Sequence, residues 1–160
     1  MGMIVETEAY SQEEEACHGF NRRTPKNDPL FGNPGSFYIY KSYGIHHCLN
    51  IVTGRKDFAS GVLIRSVEIY NQDERAASGP GLVTKKFDID TNLNYEQSHS
   101  SNSLWIKKWV KKFTVDDLVK TTRIGISKAS NLKWRWYLRS SRSISKREKG
   151  DKKPINKKNT

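Results

Sequence analysis

Between residues 37 and 69 the chain runs through three short stretches whose side chains alternate in character, and each stretch ends at a compact turn. Phe37–Ser42 leads into Tyr43-Gly44, residues 47–52 lead into Gly54-Arg55-Lys56, and residues 61–69 follow. A period of two places successive side chains on opposite faces of an extended strand. Links this short join antiparallel neighbours. The block therefore predicts a three-stranded meander. On its third strand Val62, Ile64 and Ser66 share one face, and Leu63, Arg65 and Val67 share the other.

The N-terminal stretch alternates too. Met3, Val5, Thr7 and Ala9 point one way, and Ile4, Glu6, Glu8 and Tyr10 the other, so Glu8 and Tyr10 are expected on one strand face. Ser11-Gln12-Glu13-Glu14 matches a capping box and predicts a short helix ending near His18. Residues 19–35 are rich in Gly, Pro, Asn and Arg and read as a long functional loop. Asn21-Arg22-Arg23-Thr24 within it suits phosphate contacts. Ser78-Gly79-Pro80-Gly81 predicts a tight loop entering a helical turn through Lys85 and Lys86. Residues 91–102 read as a mobile polar loop. Leu104–Trp109 alternates again, Val115-Asp116-Asp117 leads to a strand at residues 123–126, and the aromatic stretch 132–138 is expected to pack on the body.

With 160 residues the chain suits a single domain. No apolar run approaches the ~20 residues that span a bilayer, so no membrane partner is expected. Two cysteines, Cys17 and Cys48, are too few for a disulfide framework and read as reduced, intracellular thiols. The net charge of +11 attracts polyanions. Seven of the 28 basic residues and two of the 17 acidic ones lie in 146–160, so the body stays basic without that stretch. Residues 146–160 lack core formers and are expected to be a disordered tail after a domain at 1–145. Five glutamates crowd the first fifteen residues. They would repel nucleic acid unless some do chemistry or face away.

Glu8, Tyr10, Tyr40, Asn50 and Arg65 are polar where a buried sheet face is ordinarily apolar. On neighbouring strands they would converge on a pocket for a flat, polar ligand. Plainer uses exist for each: Glu8 as a surface charge, and Tyr38, Tyr40 and Tyr43 as sheet aromatics. His46-His47-Cys48 matches no common zinc spacing, and adjacent strand residues point apart, so neither metal nor cofactor is expected.

The segments IVETEAY (4–10), ACH (16–18), TPKN (24–27), LFGNPGSFYIYKSYGIHHCLNIV (30–52), VLIRSVE (62–68), SGPG (78–81) and RIGIS (123–127) resemble the alkyladenine (3-methyladenine) DNA glycosylases. That resemblance implies a compact α+β domain with a curved antiparallel sheet and short surrounding helices. It implies a monofunctional enzyme, a monomer, that hydrolyses the bond between an alkylated purine and its sugar in double-stranded DNA. Glu8 matches the general base and Arg65 the arginine that holds the water-activating group. Tyr10, His18 and Tyr40 match residues that stack on or hydrogen-bond a flipped base. Asn50 matches the residue that crowds the exocyclic amine of guanine, Leu63 lines the pocket, and Tyr43 matches the wedge that fills the vacated stack. Extrusion costs a few kcal/mol, which stacking at roughly 1–3 kcal/mol per base offsets.

The chain departs from the family in several places. Members carry a further segment before IVETEAY that helps build the sheet, so a strand beginning at Met3 is expected to fray. The stretch between Glu68 and Ser78 is shorter, the Glu8–His18 spacing is about one residue tight, and Leu82 stands where lysine is common. Lys85 and Lys86 are expected to supply that phosphate contact. Two competing readings follow: a truncated relative that binds lesions or nucleic acid without turnover, and a basic RNA- or ribosome-bound protein with no preference for damage. The expected location is cytoplasmic, at the nucleoid, in a bacterium and nuclear in a eukaryote.

Overall fold

The computed structural model describes residues 1–99, 103–108, 110 and 112–155. Six strands form one open antiparallel sheet: β1 (Met3–Ser11), β2 (Phe37–Ser42), β3 (His46–Val52), β4 (Ser60–Glu68), β5 (Leu118–Thr121) and β6 (Arg135–Leu138), in the spatial order β2-β3-β4-β1-β6-β5. The one α-helix among the described residues, α1 (Pro80–Lys86), begins with proline in its first turn, where the missing N–H costs nothing. The fold is the expected α+β class.

The two sheet faces differ in chemistry. Phe37, Ile39, Leu49 and Ile64 bury one face against Val83 of α1 and Ile89. The other face carries Tyr38, Asn50, Leu63 and Glu8. The meander of β2, β3 and β4 is present as the alternation predicts. At its first turn Ile45 N–H donates to the Ser42 carbonyl (3.0 Å), and both central residues have positive φ, 50° at Tyr43 and 68° at Gly44. That is the backbone a tight hairpin of this twist requires, and Gly44 adopts it without a Cβ penalty.

β1 is not a fraying edge. It pairs with β4 along its length and with β6 at Glu6, Thr7 and Glu8. The register between β1 and β4 slips by one residue and slips back. Ile4 faces Val67, Glu6 faces Ser66 and Thr7 faces Ile64, which leaves Val5 and Arg65 as extra residues on opposite strands. Such bulges re-aim side chains. They also reverse the parity read from the sequence: Val67 packs with Ile64, not with Leu63 and Arg65 as alternation alone predicts.

Four other expectations are corrected. Residues 12–18 form successive turns instead of a capped helix. The Glu14 carboxylate, which would have capped it, turns inward to Arg123 (2.6 and 2.9 Å), and Gln12 bonds the backbone of Ala59. Residues 91–98 are anchored, not loose: Asn94 brackets the Ile39 peptide (2.7 and 3.2 Å) and Glu96 O accepts from Phe37 N–H, so this segment covers the free edge of β2. At residues 104–108 the alternation is real, with Leu104 and Ile106 packed on the core and Trp105 exposed, but no strand pairs there. Trp109 lies outside the described residues. The strand expected at 123–126 forms earlier, at Leu118–Thr121, because the Ile124 N–H is directed to a carboxylate and not to a ladder.

The chain beyond Ser145 continues to pack. Asp151 accepts from Tyr137 Oη (2.7 Å), Arg139 and Arg147, and Lys146 O accepts from Arg135 (2.7 Å). Residues 156–160 of the expected tail lie outside the described residues.

Candidate active site

A single row of directly opposed residues crosses the whole sheet: Tyr38, Asn50, Leu63, Glu8, Arg135 and Thr121. Directly opposed residues in antiparallel strands share a face. Three of them, Asn50, Leu63 and Glu8, come from the positions singled out in the sequence.

Glu8 is 0% exposed. A buried carboxylate needs partners, since desolvation without them is costly. It has three, and all donate. Tyr10 Oη reaches Oε2 at 2.8 Å, Arg65 Nη1 reaches Oε2 at 3.3 Å, and the Ile124 N–H reaches Oε1 at 2.8 Å. Burial first, and then the neighbouring Glu8, raises the Tyr10 phenol far above its ordinary pKa, so Tyr10 remains a donor. Arg65 reaches Glu8 because it is the extra residue of the β4 bulge.

Beside the carboxylate lies an aromatic wall. His18 Nδ1 and Tyr38 Oη are 2.8 Å apart, and the His18 ring stands edge-on to Tyr40 at 4.4 Å. Tyr38 and Tyr40 are 5.5 Å apart, and both pack with Tyr10 on the cluster around Leu30 and Phe31. His18 is itself exposed, and partial desolvation by its aromatic neighbours lowers its pKa, which favours neutral imidazole. Burial likewise raises the phenols of Tyr38 and Tyr40. His18 thus joins the aromatic wall despite its tight spacing from Glu8. The Asn50 amide is fixed, because Nδ2 donates to the carbonyls of Tyr38 (3.1 Å) and Cys48 (3.3 Å).

Tyr43 alone of the singled-out residues lies away from this cluster. It is 92% exposed at the β2–β3 hairpin tip, with Ile45 also exposed beside it.

Sequence reading missed four contributors. Tyr38 reads as an ordinary sheet aromatic, yet its hydroxyl orients His18. Arg123 stacks over Tyr10 at 4.6 Å and pairs with Glu14. Arg135 stands in the row beside Glu8 and bonds Glu6. The Ile124 amide has no side-chain signature at all. RIGIS marked its neighbourhood only through resemblance. The acidic opening is resolved by the same contacts: Glu6, Glu8 and Glu14 are buried against Arg65, Arg135 and Arg123.

A buried carboxylate held by donors, a guanidinium beside it and an adjoining aromatic wall on a basic domain suit a hydrolase. Comparison with known proteins gives the family. A family model described as methylpurine-DNA glycosylase (MPG) matches residues 1–142. A protein of Synechococcus elongatus named "Putative 3-methyladenine DNA glycosylase" is 39% identical over 148 residues, 92% of this chain and 75% of the relative. Proteins of the same name from Carboxydothermus hydrogenoformans (37%; 92% of this chain, 83% of the relative) and Ehrlichia ruminantium (39%; 86% and 73%) agree. The chain belongs to the methylpurine-DNA glycosylase family. It is a monofunctional DNA N-glycosylase of base-excision repair.

Proposed function

We propose that this enzyme flips an alkylated purine such as 3-methyladenine out of duplex DNA, seats it between Tyr10, His18 and Tyr40, and hydrolyses its glycosidic bond with water activated by Glu8. The observation that carries the reading is the fully buried Glu8 carboxylate, held by three donors, one of them the hydroxyl of Tyr10 in the aromatic wall. A base in the stack is unreachable, so extrusion precedes chemistry. A cationic alkylated purine gains from electron-rich rings on either side. As the bond breaks, positive charge develops on the sugar. Glu8 stabilises that charge and takes a proton from the attacking water. Arg65 orients the carboxylate. The fixed Asn50 amide crowds the exocyclic amine of guanine, which disfavours the normal base, and Leu63 completes the floor. No step calls for a lysine nucleophile.

The test is single-turnover base release from duplex DNA carrying an alkylated purine. The expected product is an abasic site on an intact strand, formed by the monomer. Release of normal and alkylated purines at equal rates would overturn the substrate assignment.

Tyr43 serves as the wedge in this reading. Its exposed ring at the tip of a tight hairpin can fill the space the base leaves. Tyr43→Ala is expected to weaken binding to lesion-containing duplex by roughly 10- to 100-fold, matching a stacking contribution of about 1–3 kcal/mol, with far less effect on undamaged duplex. Equal losses for both would argue against a wedge. The exposed Arg22, Lys26, Lys41, Lys85 and Lys86 supply phosphate contacts. Raising salt from about 50 to 200 mM is then expected to reduce duplex affinity by roughly tenfold or more. A flat titration would contradict that placement.

A further inference from the structure

Glu6 is a buried acid beside Glu8 for which the reaction has no use so far. It is 1% exposed, and four hydrogen bonds hold it. Oε1 accepts from Arg135 Nη1 (2.8 Å) and Ser145 Oγ (2.9 Å), and Oε2 accepts from Ser66 Oγ (2.8 Å) and the Ser145 N–H (2.7 Å). These partners come from β4, β6 and the segment after β6, so the carboxylate is fixed from three sides. Arg65 lies between Glu6 and Glu8. Its Nε is 3.5 Å from Glu6 Oε1 and has no hydrogen-bond partner among the described residues, while its Nη1 is 3.3 Å from Glu8 Oε2. The paired bulges at Val5 and Arg65 create this arrangement.

We propose that Glu6 is a positioning residue of the reaction, which holds the Arg65 guanidinium back so that it orients Glu8 without clamping it. An arginine free to move would form a short two-pronged pair with Glu8. That pair would occupy the lone pairs needed for water and offset the negative charge that stabilises the sugar cation. Glu6 prevents it by attracting the same guanidinium from the opposite side. The other charged or titratable neighbours do not perform this task. Arg123 is paired with Glu14, Tyr10 donates to Glu8 itself, Arg135 is bonded to Glu6, and the Cys48 thiol is neutral, its pKa raised by burial.

This inference rests on Glu8 as the water-activating group. The experiment is single-turnover base release from alkylated duplex, read beside affinity for abasic-site duplex. Glu6→Asp keeps the charge but withdraws it from Arg65 by one methylene. The rate is expected to fall by about 100-fold, the size of loss that a displacement of about 1 Å produces, while affinity stays within a few-fold. In an Arg65→Lys background Glu6→Asp is expected to add little further loss, because both changes act through one guanidinium. A merely structural role for Glu6 predicts losses that multiply. Should Glu6→Asp fail to fold, Ser66→Ala loosens Glu6 with a smaller change, and a loss of about tenfold is expected. Wild-type rates in the folded variants, or multiplying losses, overturn the proposal. Its failure is separable from that of the parent reading: full activity in Glu8→Gln would remove the Glu8 assignment, whereas an inactive Glu8→Gln beside a fully active Glu6→Asp removes only the role of Glu6.

Discussion

Glu8→Gln is expected to lower single-turnover base release by roughly 10²–10⁴-fold, the usual contribution of a positioned general base. Affinity for lesion-containing duplex should change by no more than a few-fold. Glutamine preserves the volume but not the chemistry. Every partner of Glu8 donates: Tyr10, Arg65 and the Ile124 amide. An amide presents one acceptor oxygen and one donor NH₂. If its oxygen faces Ile124, the NH₂ faces Arg65, which has no acceptor. If it is reversed, the NH₂ faces the Ile124 N–H. The variant therefore loses both the proton acceptor and the negative charge opposite the sugar. Base release at the wild-type rate would sink the catalytic assignment.

Arg123→Met is expected to destabilise the protein by about 3–5 kcal/mol, the cost of leaving a buried charge without its partner. For a domain of this size that lowers the melting temperature by roughly 6–20 °C. Arg123 is 5% exposed and donates to both oxygens of Glu14, to the Ala9 carbonyl and to the Ala129 carbonyl. It ties the turns after β1 to the segment carrying Ile124. Its loss leaves the Glu14 carboxylate buried without a countercharge, held only by the Ala16 N–H (2.8 Å). Adding Glu14→Gln should return part of the stability by removing that orphaned charge. Calorimetry on the single and double variants checks both statements. An unchanged melting temperature in Arg123→Met would show that the pair does not brace this corner.

Much of this arrangement is legible in the sequence because it depends on parity. Glu8 and Tyr10, two residues apart on one strand, must share a face. Tyr40, Asn50 and Leu63 fall on the same face once the turn at Tyr43-Gly44 and the loop at Gly54 fix the pairing. The capping-box reading of Ser11–Glu14 failed because a distant partner, Arg123, outcompetes the local cap for Glu14. Parity itself failed at Val67 and Ile4, where two compensating bulges insert one residue on each strand. Nothing in IVETEAY or VLIRSVE marks those insertions. They depend on the Glu6–Arg65–Glu8 contacts, which join residues more than 50 positions apart. A backbone donor such as the Ile124 N–H is equally silent, since every residue but proline carries one.

The central place of β1 has a consequence for how the molecule breathes. A strand hydrogen-bonded on both sides exposes its amides to exchange only when the sheet comes apart as a whole. The amides of Thr7 and Glu8 should therefore exchange with solvent deuterium at rates set by global unfolding, and those of Tyr43 and Gly44 at rates set by local fluctuation. The carboxylate lies in the last part of the molecule to open and the hairpin tip in one of the first. The tip can then adapt to a duplex while the reacting geometry beneath it stays intact.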